Sequence, residues 1–343
     1  MHSGQLRQSI YQRQTGVTLV ELMISLTLGL ILLAALLTVF SNSSAARSEL
    51  ERTSRQIENG RYAIQLLADD LRVAGFYGEF NAGSMPLPAA LPDPCSTNPA
   101  DWNTAMPLHI QGYDGGAPGL TCLPINVKPN SDIFVVRRAK TCVAGVGACE
   151  GVAAGKPYLQ ASLCNAEAPQ HVLGVQGTDA FPLRQKDCAT AAVQREYMIH
   201  VYYISTDNGS GQNIPTLARL ELSSGALVQV PLVEGIEEIN VEYGIDTDGD
   251  GQPDAYTADP TTFACATCTS PSMTWSNVVT MHLHVLARSV DASPGHNDNR
   301  TYRLGLNAGG VPIVLGPMND RYRRNVYSAM VRIANPAGRR DVP

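Results

Sequence analysis

The chain has 343 residues and a formal net charge of −6, with 31 acidic and 25 basic side chains. Its length allows one large domain or two ordinary domains. An acidic balance without a basic stripe among aromatic residues argues against nucleic acid as a partner. The sequence also lacks a nucleophile elbow, a Walker A loop and a His-Glu-x-x-His segment, so it offers no enzyme signature.

An apolar segment, residues 17–40, contains one ionisable side chain, Glu21. As an α-helix it is about 36 Å long, enough to cross a bilayer core of roughly 30 Å. Residues 1–16 carry Arg7 and Arg13 and no acid. This asymmetry predicts a single pass through a membrane, with a cytoplasmic amino end and the rest of the chain on the other side. The segment is too long for a cleaved secretory signal.

Glu21 needs an explanation, because an acid at membrane depth costs on the order of 2–3 kcal/mol. It stands at the fifth position after Gly16, and an apolar residue, Val17, follows that glycine. This pattern resembles the type IV prepilin cleavage site. The resemblance implies a leader of residues 1–16, cleavage between Gly16 and Val17 by a prepilin peptidase, and N-methylation. It also implies that the membrane is the inner membrane and that the carboxyl-terminal part is periplasmic. It also implies that Glu21 directs assembly by attracting the amine of a neighbouring subunit. An uncleaved signal anchor with a snorkelling Glu21 is the alternative.

Helical periodicity continues through residues 41–75, which we interpret as the amphipathic half of one long helix. Four apolar residues recur there at seven-residue spacing: Leu50, Ile57, Ile64 and Leu71. This spacing predicts a helix from about Thr18 to Val73, ended near Gly75. So narrow an apolar stripe requires a sheet to pack against.

The segment Asn59–Gly78 contains Asn-Gly-Arg-Tyr-Ala and, further on, Asp-Leu-Arg-Val-Ala-Gly-Phe-Tyr-Gly. It resembles the signature of PilW-type minor pilins; J-type pseudopilins of type II secretion share a shorter version around Asp70 and are the alternative. The resemblance implies an α+β, pilin-like fold with an enlarged β region. It also implies a structural subunit that primes type IV pilus assembly at the pilus tip, together with other minor pilins, the major pilin and a tip adhesin. Twitching motility and cell adhesion are the activities associated with such pili.

Residues 76–195 are rich in Pro, Gly and Ala, which predicts loops held by crosslinks around one clear strand, Asp132–Arg138. Residues 196–343 are predicted to form an antiparallel β domain with polar turns between its strands. The expected strands are Glu196–Ser205, Thr216–Leu222, Ala226–Leu232, Ile236–Tyr243, Asn277–Arg288 and Arg324–Ala334.

All eight cysteines follow the apolar segment: Cys95, Cys122, Cys142, Cys149, Cys164, Cys188, Cys265 and Cys268. An even number in a translocated region predicts disulfides formed in an oxidising periplasm. The sequence does not determine the connectivity, and pairing neighbours in sequence order is our expectation. Cys265 and Cys268 form a C-x-x-C pair, for which a structural staple is favoured over a redox centre in a membrane-anchored enzyme.

An acidic stretch resembles the first part of an EF-hand calcium loop, with Gly251 at position six. Positions one, three, five, seven and nine are Asp246, Asp248, Asp250, Gln252 and Asp254. The glutamate at position twelve is absent, and no helices are predicted on either side. We therefore expect a Ca²⁺ loop between strands, with an acidic β-turn as the alternative.

Two further groups have ordinary interpretations as well as functional ones. His282 and His284 face the same side of a predicted strand, as a metal pair or, more commonly, as partly buried histidines. Near the end of the chain lies a basic cluster that comprises Arg321, Arg323, Arg324 and Arg332. We interpret it as a solvated face or as a surface that meets an acidic neighbouring subunit.

Overall fold

The computed structural model describes residues 16–116, 119–223 and 225–338. The chain divides into two compact units, Met1–Glu51 and Arg52–Pro343. The helix α1 (Leu19–Arg72) begins in the first unit and ends in the second. Its bounds agree to within one residue at each end with the helix predicted from periodicity.

In the first unit, the apolar side chains of α1 are exposed, for example Leu19 and Phe40. Within the described residues, α1 is the one helix long and apolar enough to cross a membrane. Its hydroxyl groups bond to the helix's own backbone. Ser25 Oγ donates to the Glu21 carbonyl at 2.6 Å, and Thr27 Oγ1 donates to the Met23 carbonyl at 2.9 Å. Such internal bonding makes a polar side chain tolerable in an apolar environment.

The second unit contains two large antiparallel sheets and a separate hairpin. Seven strands form the first sheet: β1 (Ile110–Tyr113), β2 (Ile133–Ala139), β3 (Pro157–Ala161), β4 (His171–Val175), β5 (Gln194–Ser205), β6 (Thr216–Ser223) and β7 (Ala226–Glu234). The order is β1-β2-β5-β3-β4, while β6 pairs with β5 and β7 pairs with β6. The twelve-residue β5 therefore organises this sheet, because three strands pair with it.

The second sheet has four strands in the order β13-β10-β8-β9. Its strands and those of the hairpin are β8 (Ile236–Ile245), β9 (Ala255–Thr257), β10 (Val278–Arg288), β11 (Tyr302–Leu306), β12 (Pro312–Leu315) and β13 (Arg324–Arg332). β11 and β12 pair only with each other among the described strands. The short helices are α2 (Pro99–Ala105), α3 (Pro271–Ser276) and α4 (Ala334–Gly338), and a 3₁₀ turn covers Ala82–Ser84.

The structure differs from the expected boundary at residue 195. The region 76–195 contributes four strands, and β5 pairs with two of them, β2 and β3. The sequence signal was weak because β1, β3 and β4 have four or five residues each, too few for a clear period of two. Thus the first sheet joins strands from both sides of that boundary.

The buried face of α1 in the second unit combines small residues with two leucines. Gly60, Ala63, Leu67 and Leu71 follow helical spacing and are buried. The seven-residue stripe is wrong at Leu50, which is 71% exposed. Of the four predicted stripe residues, Leu71 is fully buried, and it shares the packed face with Gly60 and Ala63, which the stripe did not include.

Alternating side chains of the strands line two main cores. On β5, Tyr202 and Ile204 join the helix core, whereas Val201 and Tyr203 point to a second core on the other face of the sheet. This alternation is the period of two that a strand imposes. The second core also holds Trp102 from α2.

Four disulfides join cysteines that are consecutive in the sequence. They are Cys95–Cys122, Cys142–Cys149, Cys164–Cys188 and Cys265–Cys268. This is the connectivity that sequence-order pairing predicts, and all eight cysteines are paired.

Gly60 allows α1 to approach β13 closely. A Cβ atom at this position would overlap the aromatic ring of Tyr327. Glycine in a helix interior normally costs about 1 kcal/mol relative to alanine. At this position the absent side chain is what permits contact between helix and sheet.

We therefore predict that Gly60→Ala lowers the free energy of unfolding by about 1–3 kcal/mol, despite its better helix propensity. Urea denaturation of the full-length chain in detergent, followed by tryptophan fluorescence, measures the change. Both tryptophans, Trp102 and Trp275, are buried in the second unit. The control is Gly60→Ala in a Tyr327→Ala background, where the loss should vanish. Stabilisation by Gly60→Ala with Tyr327 in place contradicts the close contact.

Candidate functional site

The start of α1 is a capping box formed by Thr18 and Glu21. The Glu21 backbone N–H donates to Thr18 Oγ1 at 3.3 Å, and the Glu21 carboxylate accepts from Thr18 Oγ1 at 3.2 Å and from the Thr18 backbone N–H at 3.4 Å. These bonds satisfy donors that a helix start leaves unpaired. Gly16 and Val17 precede the box and are exposed. Residues 1–15 of the proposed leader lie outside the described part of the chain.

Residues in the segment Asn59–Gly78 form hydrogen bonds that attach the end of α1 to the sheets. Asn59 Nδ2 donates to the backbone carbonyl of Glu234 at 3.0 Å. After the helix, Gly75 has a φ of +70°, and its N–H donates to the Arg137 carbonyl at 2.9 Å. A left-handed glycine after the last turn is a common helix stop. The signature thus specifies contacts between helix and sheet.

A buried carboxylate on the last turn of α1, Asp70, is the centre of these contacts. Its Oδ1 accepts from Arg138 Nε at 2.6 Å. Its Oδ2 lies 2.6 Å from His200 Nδ1 and accepts from the Tyr202 hydroxyl at 2.8 Å. Arg138 lies on β2, and the other two partners lie on β5. Sequence analysis identified Asp70 but missed its partners, which are distant in the chain and follow no local motif.

The environment shifts the protonation of both members of the Asp70–His200 pair. Burial by itself raises the pKa of Asp70, but His200, Arg138 and Tyr202 outweigh burial and hold this pKa well below its ordinary value. Burial lowers the pKa of His200, so the imidazole is neutral and donates its Nδ1 proton. The result is a charged aspartate held by one cation and two neutral donors.

The Asp-rich loop between β8 and β9 brings three of its four carboxylates together. Oxygen atoms of Asp246, Asp248 and Asp254 lie within 4.8 Å of one another. Asp250 does not join them, and its Oδ1 accepts from the Gln252 backbone N–H at 2.7 Å. Hydrogen bonds from Thr247 lower the pKa of Asp254 and keep it ionised. The loop thus offers a partial oxygen cage in place of the full set expected from the sequence.

The C-x-x-C disulfide, Cys265–Cys268, lies beside this acidic loop. Between the two cysteines, Thr267 Oγ1 donates to the carbonyl of Thr247 at 3.2 Å. The crosslink therefore supports the loop that carries the three carboxylates.

The basic cluster is divided between different environments. Arg324 is 2% exposed, and its guanidinium contacts Glu237, Asp298 at 3.0 Å and Asp320 at 2.7 Å. Arg324 therefore links β13 to β8 inside the protein. It is part neither of a solvated face nor of a surface that could meet a neighbouring subunit. Arg321 is exposed.

Two family models and one solved structure are similar to parts of this chain. The family model of PilW, type IV pilus-assembly protein W, matches residues 201–335. The prokaryotic N-terminal methylation motif matches residues 11–37. Among solved structures, the chain is similar to the type IV-like pilin TTHA1219 from Thermus thermophilus, with 14% identity, a TM-score of 0.28, and coverage of 61% of this chain and 81% of that chain. No curated protein matches the chain significantly.

A long apolar helix with a methylation motif, followed by antiparallel sheets, defines a type IV pilin-like protein. Within that class, the chain is a minor pilin of the PilW family. The family is one of structural proteins of the pilus. Membership indicates interaction with other pilus components and processing by a prepilin peptidase.

We predict that Asp70→Asn lowers the free energy of unfolding by about 3–5 kcal/mol at neutral pH, because it leaves Arg138 buried without its counter-charge. The Asp70 pKa lies below its ordinary value of 3.8. Its contribution is therefore complete above about pH 4 and is lost as the pH falls further, because the unfolded chain then binds a proton that the folded chain does not. Urea denaturation across this pH range measures the difference between variant and wild type.

The matched control for this prediction is the neighbouring Asp69→Asn. Asp69 is exposed and pairs with Arg72, also exposed, at 2.6 Å, so its loss should change the free energy by less than about 1 kcal/mol. Equal effects of the two substitutions, or a gap that stays constant below pH 4, would contradict the role of Asp70.

Proposed function

We propose that the chain primes the assembly of a type IV pilus and occupies the pilus tip, in contact with other minor pilins, the major pilin and a tip-associated adhesin. The observation that carries the proposal is Glu21, the one ionisable residue in the exposed apolar part of α1. Residues 17–40 have apolar side chains that a bilayer or neighbouring helices must cover. The PilW match favours the pilus over the type II secretion filament of J-type pseudopilins.

Glu21 determines the axial stagger of the subunit in this proposal. Cleavage between Gly16 and Val17 creates a free amine on Val17, and the Glu21 carboxylate attracts the Val17 amine of a neighbouring subunit. Opposite charges attract far more strongly among packed apolar helices than in water. A stagger that leaves either charge unpaired in that environment is strongly disfavoured. In the single subunit, the Glu21 carboxylate accepts a hydrogen bond from the Thr18 hydroxyl.

The test is incorporation of a Glu21→Ala variant into filaments. We expect the variant to reach the membrane fraction at the wild-type level and to be absent from sheared pili, as measured by immunoblotting. Glu51→Ala is the matched control, since this acid is on the same helix beyond the apolar segment. Normal incorporation of Glu21→Ala would refute the assembly role.

We also propose that the Asp-rich loop binds Ca²⁺ through Asp246, Asp248 and Asp254. Carboxylate oxygens are the ligands that Ca²⁺ prefers, and three of them converge here. A bound cation would remove the repulsion among the three acids and hold the turn between β8 and β9.

Added Ca²⁺ is therefore expected to raise the melting temperature of the full-length chain in detergent, because an ion that binds only the folded state stabilises it. Asp248→Asn should abolish this increase, whereas the exposed Asp69→Asn should retain it. Superimposable melting curves with Ca²⁺ and with a chelator would exclude the site.

A further inference from the structure

A second cluster of metal-ligating side chains lies on the outer face of the four-stranded sheet. On β10, His282 and His284 point away from the helix core, on the same face as Leu286, which packs against β11. Glu242 on β8 lies directly opposite His282 in the antiparallel register. The sequence indicated the two histidines, but only the pairing of β8 with β10 brings the carboxylate to them.

The distances within this cluster suit a small metal ion. Glu242 Oε2 lies 3.2 Å from His282 Nδ1 and 3.5 Å from His284 Nε2, and the three ligand atoms lie within 4.8 Å of one another. Ligands at about 2.0–2.2 Å from a tetrahedral Zn²⁺ are separated from each other by roughly 3.3–3.6 Å. The two distances from Glu242 to the histidines are therefore close to the ligand spacing of a zinc site.

Two buried polar atoms beside the cluster lack a well-formed hydrogen bond within the described residues, although the first of them also faces Glu242 Oε2 at 3.5 Å. They are Nε2 of His284 and Oδ1 of Asn240, in side chains that are 8% and 2% exposed. A Cβ atom on Gly305 of β11 would lie 2.9 Å from that Nε2 and 3.0 Å from that Oδ1. The glycine thus keeps open a space that both atoms face. Buried polar atoms normally have partners, so this pair indicates an unfilled ligand position.

Hydrogen bonds outside the cluster hold two of the ligands in place. His284 Nδ1 lies 2.8 Å from Ser328 Oγ on β13, which leaves Nε2 directed at the cluster. Glu242 Oε1 accepts from the Leu306 backbone N–H at 2.9 Å, which leaves Oε2 directed at the histidines. Outer bonds of this kind orient ligands in established metal sites.

We propose that Glu242, His282 and His284 bind a divalent transition-metal ion, Zn²⁺, with a structural role. Two imidazoles and one carboxylate favour zinc over Ca²⁺, which selects oxygen ligands. The fourth position is taken by water or by Asn240 Oδ1, which faces the same space. The ion ties β8 to β10 and, through Leu306, ties both strands to the β11–β12 hairpin.

The experiment uses the full-length chain in detergent, without a polyhistidine tag and stripped of metal. Titration with Zn²⁺ in competition with a chromophoric chelator should reveal one saturable site per chain and a higher melting temperature when Zn²⁺ is bound. Replacing Zn²⁺ with Co²⁺ should produce the intense visible absorption of a tetrahedral site. Glu242→Gln and His282→Gln should each weaken Zn²⁺ binding about 10-fold or more and abolish that absorption.

Two control variants separate this site from other zinc ligands. His171→Gln removes a histidine in the first sheet, and Asp248→Asn removes a carboxylate from the Asp-rich loop; both should retain wild-type affinity. His282 has a side chain that is 30% exposed, so its substitution keeps the fold, which circular dichroism verifies. Absence of a saturable site, or equal affinity in wild type and His282→Gln, would overturn the proposal.

Discussion

The burial of one carboxylate constrains the second unit of this protein. Asp70 at the end of α1 is 7% exposed and needs compensating partners, since an isolated buried charge is prohibitively costly. Arg138 supplies the charge, and His200 and Tyr202, two residues apart on β5, supply two donors from the same face of the strand. Moving the helix by one turn would separate Asp70 from all three. The Asp70 carboxylate therefore specifies where the end of α1 docks on β2 and β5.

The family signature acquires a physical meaning from this arrangement. Gly60 allows the helix to touch Tyr327, Asn59 bonds the backbone beside β8, and Gly75 ends the helix against β2. These residues attach the helix to the sheets of its own subunit. The residues expected to meet other subunits, Val17 and Glu21, lie in the other unit. The helix is thus attached to its own sheets through a segment of α1 other than the one that carries Glu21.

The sequence was informative wherever the determining signal is local. The bounds of α1 and six of the strands from β5 onward follow from periodicity, whereas the short strands β9, β11 and β12 were not predicted. It was uninformative about contacts between distant residues. No local motif around Asp70 predicts its contact with His200. Likewise, only the register of β8 and β10 places Glu242 opposite His282. Composition also misled, because Pro- and Gly-rich flanks concealed β3, all five residues of which are buried. The Asp-rich loop shows the same limit, since spacing implied four converging carboxylates and three of them lie together.

The disulfides have a topological property with consequences for how the chain matures. No bridge encloses or crosses another, since each cysteine pairs with the next one along the chain. A polypeptide that emerges amino end first can therefore close every bridge as soon as its second thiol appears, without waiting for residues still to come. Oxidation in order of appearance leads directly to the native set, and no shuffling of bridges is required.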